Sequence, residues 1–141
     1  MAQWKPVALN YKYTKHPDFF IPLSMHFSDS SNGFILNNAA LMQLKNHLWQ
    51  PVNTGDPNLF TYTNVFTINP QNTFLCGYDG KVSKFNGDSL RLLFTVDESE
   101  VVSQILNTIF MTDSTHGWAA GENGTLVKIA GDNHTDRKSV A

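Results

Sequence analysis

Hydrophobic and polar positions alternate along this chain in short runs, and the runs recur. Ser24-Met25-His26-Phe27-Ser28, Asn64-Val65-Phe66-Thr67-Ile68 and Thr108-Ile109-Phe110-Met111-Thr112 each read as a strand, with β-branched and aromatic residues at alternate sites. A polar tetrad follows each: Asp29-Ser30-Ser31-Asn32, Asn69-Pro70-Gln71-Asn72 and Asp113-Ser114-Thr115-His116. Asp or Asn opens all three. Its short side chain accepts a backbone hydrogen bond two residues on, which starts a turn. A second strand then carries Phe34, Phe74 or Trp118, spaced 40 and 44 residues apart. These aromatics are expected to wedge between neighbouring sheets.

The second strand ends in a tight hairpin. Gly80 and Gly124 supply the positive φ that such a turn needs, whereas Ala40 stands in the first copy and predicts a different turn there. Third strands alternate as Leu41-Met42-Gln43-Leu44, Val82-Ser83-Lys84-Phe85 and Leu126-Val127-Lys128-Ile129. Leu48-Trp49-Gln50-Pro51-Val52 and Leu90-Arg91-Leu92-Leu93-Phe94 supply a fourth. Pro51 suits an outermost strand because it cannot donate to a ladder.

A period near 40 residues, built of four short strands and Gly/Asn turns, is the spacing of β-propeller blades. The fold class is therefore all-β, with three four-stranded antiparallel blades. They span residues 23–53, 63–95 and 106–131. The third copy lacks an evident outer strand, and residues 132–141 read as a polar, flexible tail. Gln3-Trp4-Lys5-Pro6-Val7 echoes Leu48-Trp49-Gln50-Pro51-Val52, with Trp, Pro and Val in register. Residues 1–9 are thus expected to supply the outer strand of the last blade. A closed ring takes roughly four to eight blades. Two chains exchanging that strand would make a six-bladed homodimer.

The segment from Asp113 to Lys128 (Asp-Ser-Thr-His-Gly-Trp-Ala-Ala-Gly-Glu-Asn-Gly-Thr-Leu-Val-Lys) resembles the repeat of propellers related to the photosystem II stability and assembly factor, within the wider BNR/Asp-box group. Cys76-Gly77-Tyr78-Asp79-Gly80-Lys81 follows the same pattern, and Asn38-Ala39-Ala40 departs from it. Together the repeats cover most of residues 23–131. The Asp-box of sialidase-type propellers, Ser-x-Asp-x-Gly-x-Thr-Trp, is absent from the sequence. The resemblance implies a propeller and a binding role, and it does not imply photosynthesis.

Composition narrows the function further. Of 141 residues, 41% are apolar and 16% charged, and the net charge is −2 with no basic cluster, which argues against nucleic acid. No run of about 18 apolar residues predicts a membrane span. The first residues do not read as a signal peptide, which would place the chain in the cytoplasm if Met1 is the native start and outside it otherwise. Cys76 is the single cysteine and is expected to be a small buried side chain, aligned with Leu36 and Ala120.

The five histidines show no metal-ligand spacing, and no nucleophile elbow, phosphate loop or zinc motif occurs. His26 aligns with Phe66 and Phe110, which predicts a core or channel-wall residue. No catalytic residues, metal or cofactor are therefore expected. The candidate binding residues lie in the blade connections and hairpins: Tyr11, Tyr13, His16, Asn38, Tyr62, Tyr78, Asp79, Glu122 and Asn123. Rings that stack beside amides that orient suit a protein surface or a sugar. The three hairpins differ in sequence, which favours one asymmetric protein-binding face over repeated glycan pockets. A glycosidase-type carboxylate pair is the weaker enzymatic alternative.

Overall fold

The structure, a computed structural model, describes residues 5–6, 21–96 and 104–131 and the backbone of 133–138. Among the described residues, twelve strands form three separate four-stranded antiparallel sheets, each a meander in sequence order. Blade 1 comprises β1 (Pro22–Phe27), β2 (Gly33–Asn37), β3 (Leu41–Lys45) and β4 (Leu48–Pro51). Blade 2 comprises β5 (Tyr62–Asn69), β6 (Asn72–Gly77), β7 (Lys81–Phe85) and β8 (Leu90–Thr95). Blade 3 comprises β9 (Leu106–Met111), β10 (His116–Gly121), β11 (Thr125–Ala130) and β12 (Asn133–Lys138). The three blades and their first three strands fall where the hydrophobic alternation places them.

The outer strand of blade 3 is a correction. The edge of β11 expected to receive residues 1–9 is paired instead with β12, from Thr125↔Lys138 to Ala130↔Asn133. The backbone ladder alone can hold an outermost strand, so Asn-His-Thr-Asp-Arg-Lys forms one without an apolar pattern. Residues 1–4 and 7–9, including Trp4, lie outside the described residues.

The registers of the three blades superpose. Met25↔Ile35, Val65↔Leu75 and Ile109↔Ala119 are equivalent pairs, as are His26↔Phe34, Phe66↔Phe74 and Phe110↔Trp118. Because successive residues of a strand point to opposite faces, each blade has two distinct faces. The leading face of blade 1 (Phe34, Leu36, Leu41) packs against the trailing face of blade 2 (Val65, Leu75, Phe85). The leading face of blade 2 (Phe66, Phe74, Cys76, Val82) packs in the same way against Ile109, Met111, Ala119, Val127 and Ile129 of blade 3. These two clusters are the core. Among the described residues no buried cluster joins blade 1 to blade 3, so the blades form an open row.

Hydrogen bonds reinforce both joints at the innermost strands. Ser24 Oγ accepts from the Val65 N–H at 3.2 Å, and Asn64 Oδ1, one blade further on, accepts from the Ile109 N–H at 3.1 Å. His26 Nδ1 accepts from the Thr67 N–H at 3.0 Å, and Thr63 Oγ1 donates to the Leu106 carbonyl. The His26 ring stacks on Phe66 at 3.9 Å between centroids, and Phe66 meets Phe110 at 4.7 Å. His26 therefore lies on the inner wall, aligned with Phe66 and Phe110 as expected from the repeat.

Local turns follow the sequence reading. Asp29, Asn69 and Asp113 each accept from the backbone N–H two residues on, at 2.7, 3.0 and 2.7 Å. Asp79 (φ 58°) and Gly80 (φ 63°) give the left-handed pair of a type I′ hairpin, and Asn123 (φ 58°) and Gly124 (φ 69°) repeat it. The first hairpin is built differently: Asn37 Oδ1 accepts from the N–H groups of Ala39 and Ala40, and no residue there has positive φ. Cys76 is fully buried, and burial pushes its thiol pKa up to about 12. Trp118 departs from the expected wedge: it is 40% exposed, and among the described residues no further blade packs on the leading face of blade 3.

Candidate functional site

Three hairpins and two connections make one rim of the blade row. Val52 N–H bonds back to the Leu41 carbonyl, tying the connection after blade 1 to the first hairpin. That connection then turns at Leu59–Thr61 and runs against the second hairpin. A Cβ on Gly77 would sit 2.1 Å from the Thr61 carbonyl oxygen, so only glycine permits this approach. The Gly121–Ile105 contact repeats it in blade 3, with 1.9 Å to the Ile105 oxygen. Gln104 joins the second and third hairpins. Its carbonyl accepts from Gly80 N–H, and its side chain pairs with Thr125 Oγ1 at 3.0 Å.

Along this rim Tyr78 and Phe60 are exposed aromatics on adjoining segments, 42% and 59% exposed. Asp79, Glu122 and Asn123 are exposed at the hairpin tips, and Asn38 and Asp56 are half-buried. Asn38 Oδ1 accepts from the Ile21 N–H at 3.1 Å. A cleft of about 530 Å³ opens between the first hairpin (Ala39, Ala40) and the loop from Asn53 to Leu59. Five of the nine candidate residues thus stand on one rim. Tyr11, Tyr13 and His16 lie outside the described residues.

Tyr62 is a correction. It is the first residue of β5, not a loop residue, and is 3% exposed. Its hydroxyl bonds Ser83 Oγ at 2.6 Å and reaches Asp56 at 3.5 Å. Burial raises the Tyr62 pKa. Lys81 Nζ lies 4.3 Å from the centre of the Tyr62 ring and donates to Thr61 Oγ1, and burial lowers its pKa against the pull of Asp56 and Asp79. The cluster pins the connection under the rim.

Sequence reading overlooked the opposite rim. A cleft of about 440 Å³ lies there between blades 1 and 2, lined by Ser31, Asn32, Lys45, His47 and Gln71 among others. Asn46 (φ 51°) and His47 (φ 65°) form its β3–β4 turn without glycine, so no Gly signal marked it. Elsewhere on this rim Asp113 holds its turn through the Thr115 N–H and the His116 ring, and its pKa falls to about 2. No group of three or more His, Cys, Asp or Glu able to hold a metal occurs among the described residues. None of their helices is long and apolar enough to cross a membrane.

Repeated four-stranded meanders, packed face to face with their first strands innermost, define β-propeller blades. Solved structures agree at the level of the fold. The chain is similar to the extracellular domain of BT4673 from B. thetaiotaomicron (TM-score 0.60, 13% identity, 82% of this chain and 16% of that one). It is also similar to PorZ, a surface component of the type-IX secretion system of Porphyromonas gingivalis (TM-score 0.57, 14% identity, 85% and 16%). A third likeness is to YCF48, the photosystem II assembly factor, bound to D1 peptide (TM-score 0.52, 12% identity, 97% and 72%). The chain thus spans about one sixth of the first two. No protein-family model matches it, and no curated protein matches its sequence.

Proposed function

We propose that this propeller unit is a non-catalytic binding module that holds an extended protein segment along the hairpin rim. The observation that carries the reading is the juxtaposition of exposed Phe60 and Tyr78 with Asp56, Asp79 and Glu122 on one edge. Rigid aromatics supply contact area at little entropic cost, and the carboxylates select a basic or neutral segment. YCF48 has been solved bound to a D1 peptide, which supports the same use of the fold here. Unequal hairpins favour a single protein segment over repeated sugar pockets.

A panel of extended peptides, from acidic to basic and each with apolar residues, tests this beside a glycan panel. Basic or neutral apolar peptides should bind, and Tyr78→Ala should weaken them about tenfold or more. Asp79→Lys should shift preference towards acidic peptides. Binding confined to glycans, or peptide binding indifferent to both substitutions, would overturn the reading.

A further inference from the structure

The cleft on the rim opposite the hairpins carries charge of one sign. Turns from both blades converge on its volume of about 440 Å³. The turn after β1 brings Ser31, the β3–β4 turn brings Lys45 and His47, and the turn after β5 brings Gln71. No carboxylate lines the cleft among the described residues, although the whole chain has 12 acids and a net charge of −2. Asp29, the acid nearest in sequence, is engaged within its own turn. Its carboxylate accepts from the N–H groups of Ser31 and Asn32 at 2.7 and 3.0 Å, and from Asn32 Nδ2 at 2.8 Å. Among the described residues Lys45 forms no ion pair, and the side chains of Ser31 and Gln71 make no hydrogen bond.

Backbone geometry singles out the same turn. Asn46 and His47 are successive left-handed residues, at φ 51° and 65°. That conformation penalises any residue with a Cβ. The other left-handed pairs among the described residues, Asp79–Gly80 and Asn123–Gly124, end in glycine, and the equivalent β7–β8 turn uses Gly87 at φ 100°. His47 keeps a side chain at such a position, and it lines the cleft. Strain of this kind clusters where a side chain meets a ligand. From Lys45 the cleft continues as a groove of about 250 Å³, with Gln43, Lys45 and Gly87 lining both parts. Gln50, the cross-strand partner of Gln43, adds a second amide, and Asp88 lines only this second part.

We infer that this cleft binds an oxyanion such as phosphate, free or carried on a hydroxylated small molecule. Lys45 supplies the charge, His47 a ring N–H, and Ser31 and Gln71 neutral donors. The amides of Gln43 and Gln50 each offer a donor and an acceptor to the hydroxyl groups of a ligand body. Asp88 repels the oxyanion from the second part of the groove. None of these residues stands on the hairpin rim, so the site stands or falls apart from peptide binding.

The 141-residue chain is titrated with inorganic phosphate, glucose 6-phosphate and glucose at fixed ionic strength, and backbone amide shifts are followed by NMR. Both phosphates should move the amides of residues 29–32, 45–48 and 71–72, and glucose should bind about tenfold or more weakly than glucose 6-phosphate. Tighter binding of glucose 6-phosphate than of inorganic phosphate assigns the phosphorylated molecule as ligand, and equal binding assigns the free oxyanion. Lys45→Gln should weaken either about tenfold, whereas Lys128→Gln, which removes a cation from blade 3, should leave affinity unchanged. His47→Gly separates contact from folding: it should weaken binding about threefold while thermal stability rises. No shift with either phosphate, shifts scattered over the surface, glucose as tight as glucose 6-phosphate, equal losses in Lys45→Gln and Lys128→Gln, or undiminished binding by His47→Gly would overturn the inference.

Discussion

Blade 2 and blade 3 carry the same pattern and meet different surroundings. In blade 2 the residues of β6 from Thr73 to Gly77 are all buried. In blade 3 the equivalent strand β10 alternates between exposed and buried from His116 to Ala119. The two sequences are alike in apolar content: Phe74 matches Trp118, and Phe66 matches Phe110. Burial here is a property of the neighbour. A sheet covered on both faces reads as continuously buried, as β2 of blade 1 does too, whereas β10 of blade 3 shows the strand's two-residue period.

The most disruptive way to probe this contrast is to empty one joint. Phe74→Ala should cost about 3–5 kcal/mol, as for a fully packed aromatic, whatever the protein concentration. Trp118→Ala should cost much less, because its ring is already 40% exposed. Urea melts check both. Equal costs would mean that the two aromatics are packed alike in solution.

Next in size is the close approach at the hairpins. Gly121→Ala should destabilise by about 1–3 kcal/mol, because its Cβ would collide with the backbone of Ile105 rather than with a side chain that could swing away. Thermal melting measures it. A neutral result would mean that residues 104–105 are free to move off the third hairpin.

A smaller gain is expected on the opposite rim. His47 holds φ 65° in a turn that prefers glycine at that position. His47→Gly should raise stability by about 0.5–1 kcal/mol, the left-handed penalty removed less the entropy that glycine adds to the unfolded chain. The same substitution at Asp79, already followed by Gly80, gives the comparison for the hairpin rim.

The finest probe is pH. Burial lowers the His26 pKa below its ordinary 6.5, and Nδ1 must stay unprotonated to accept from Thr67. The unfolded chain therefore binds the proton more readily than the folded one. The stability His26 contributes is fully present above pH 6.5 and declines as pH falls from there through the lower folded value. Asp113 and Asp29 act later, with the same sign. Their folded pKa values lie below 3.8, so their contribution fades between that pH and, for Asp113, about 2. His26→Phe, copying blades 2 and 3, should flatten the upper step and leave the lower one. An unchanged upper step would assign it to another group.

Much of the fold was legible because local chemistry and global repeat agreed. The turn-opening Asp29, Asn69 and Asp113, the Asp-Gly and Asn-Gly hairpins, the Ala40 exception and buried Cys76 each carry a short-range physical signature. What failed had none. Asn133–Lys138 is polar throughout, so no hydrophobic period announced it, whereas Trp4-Lys5-Pro6-Val7 offered an attractive echo. Tyr62 was misplaced by one element boundary: set in the loop before β5 it would face solvent, and as the strand's first residue it turns inward. The cleft beside Lys45 and His47 arises where turns of two blades converge, which no single stretch of sequence displays.

The acceptor–donor step from residue 24 to 65, and again from 64 to 109, has a consequence for how such molecules grow. One copied unit carries both the socket and the plug, so tandem duplication yields a compatible neighbour without further change. Nothing in that joint counts. The tally of units in a finished circle must come from the small angle between successive sheets, and insertions that alter this angle could change ring size while leaving every contact between neighbours intact.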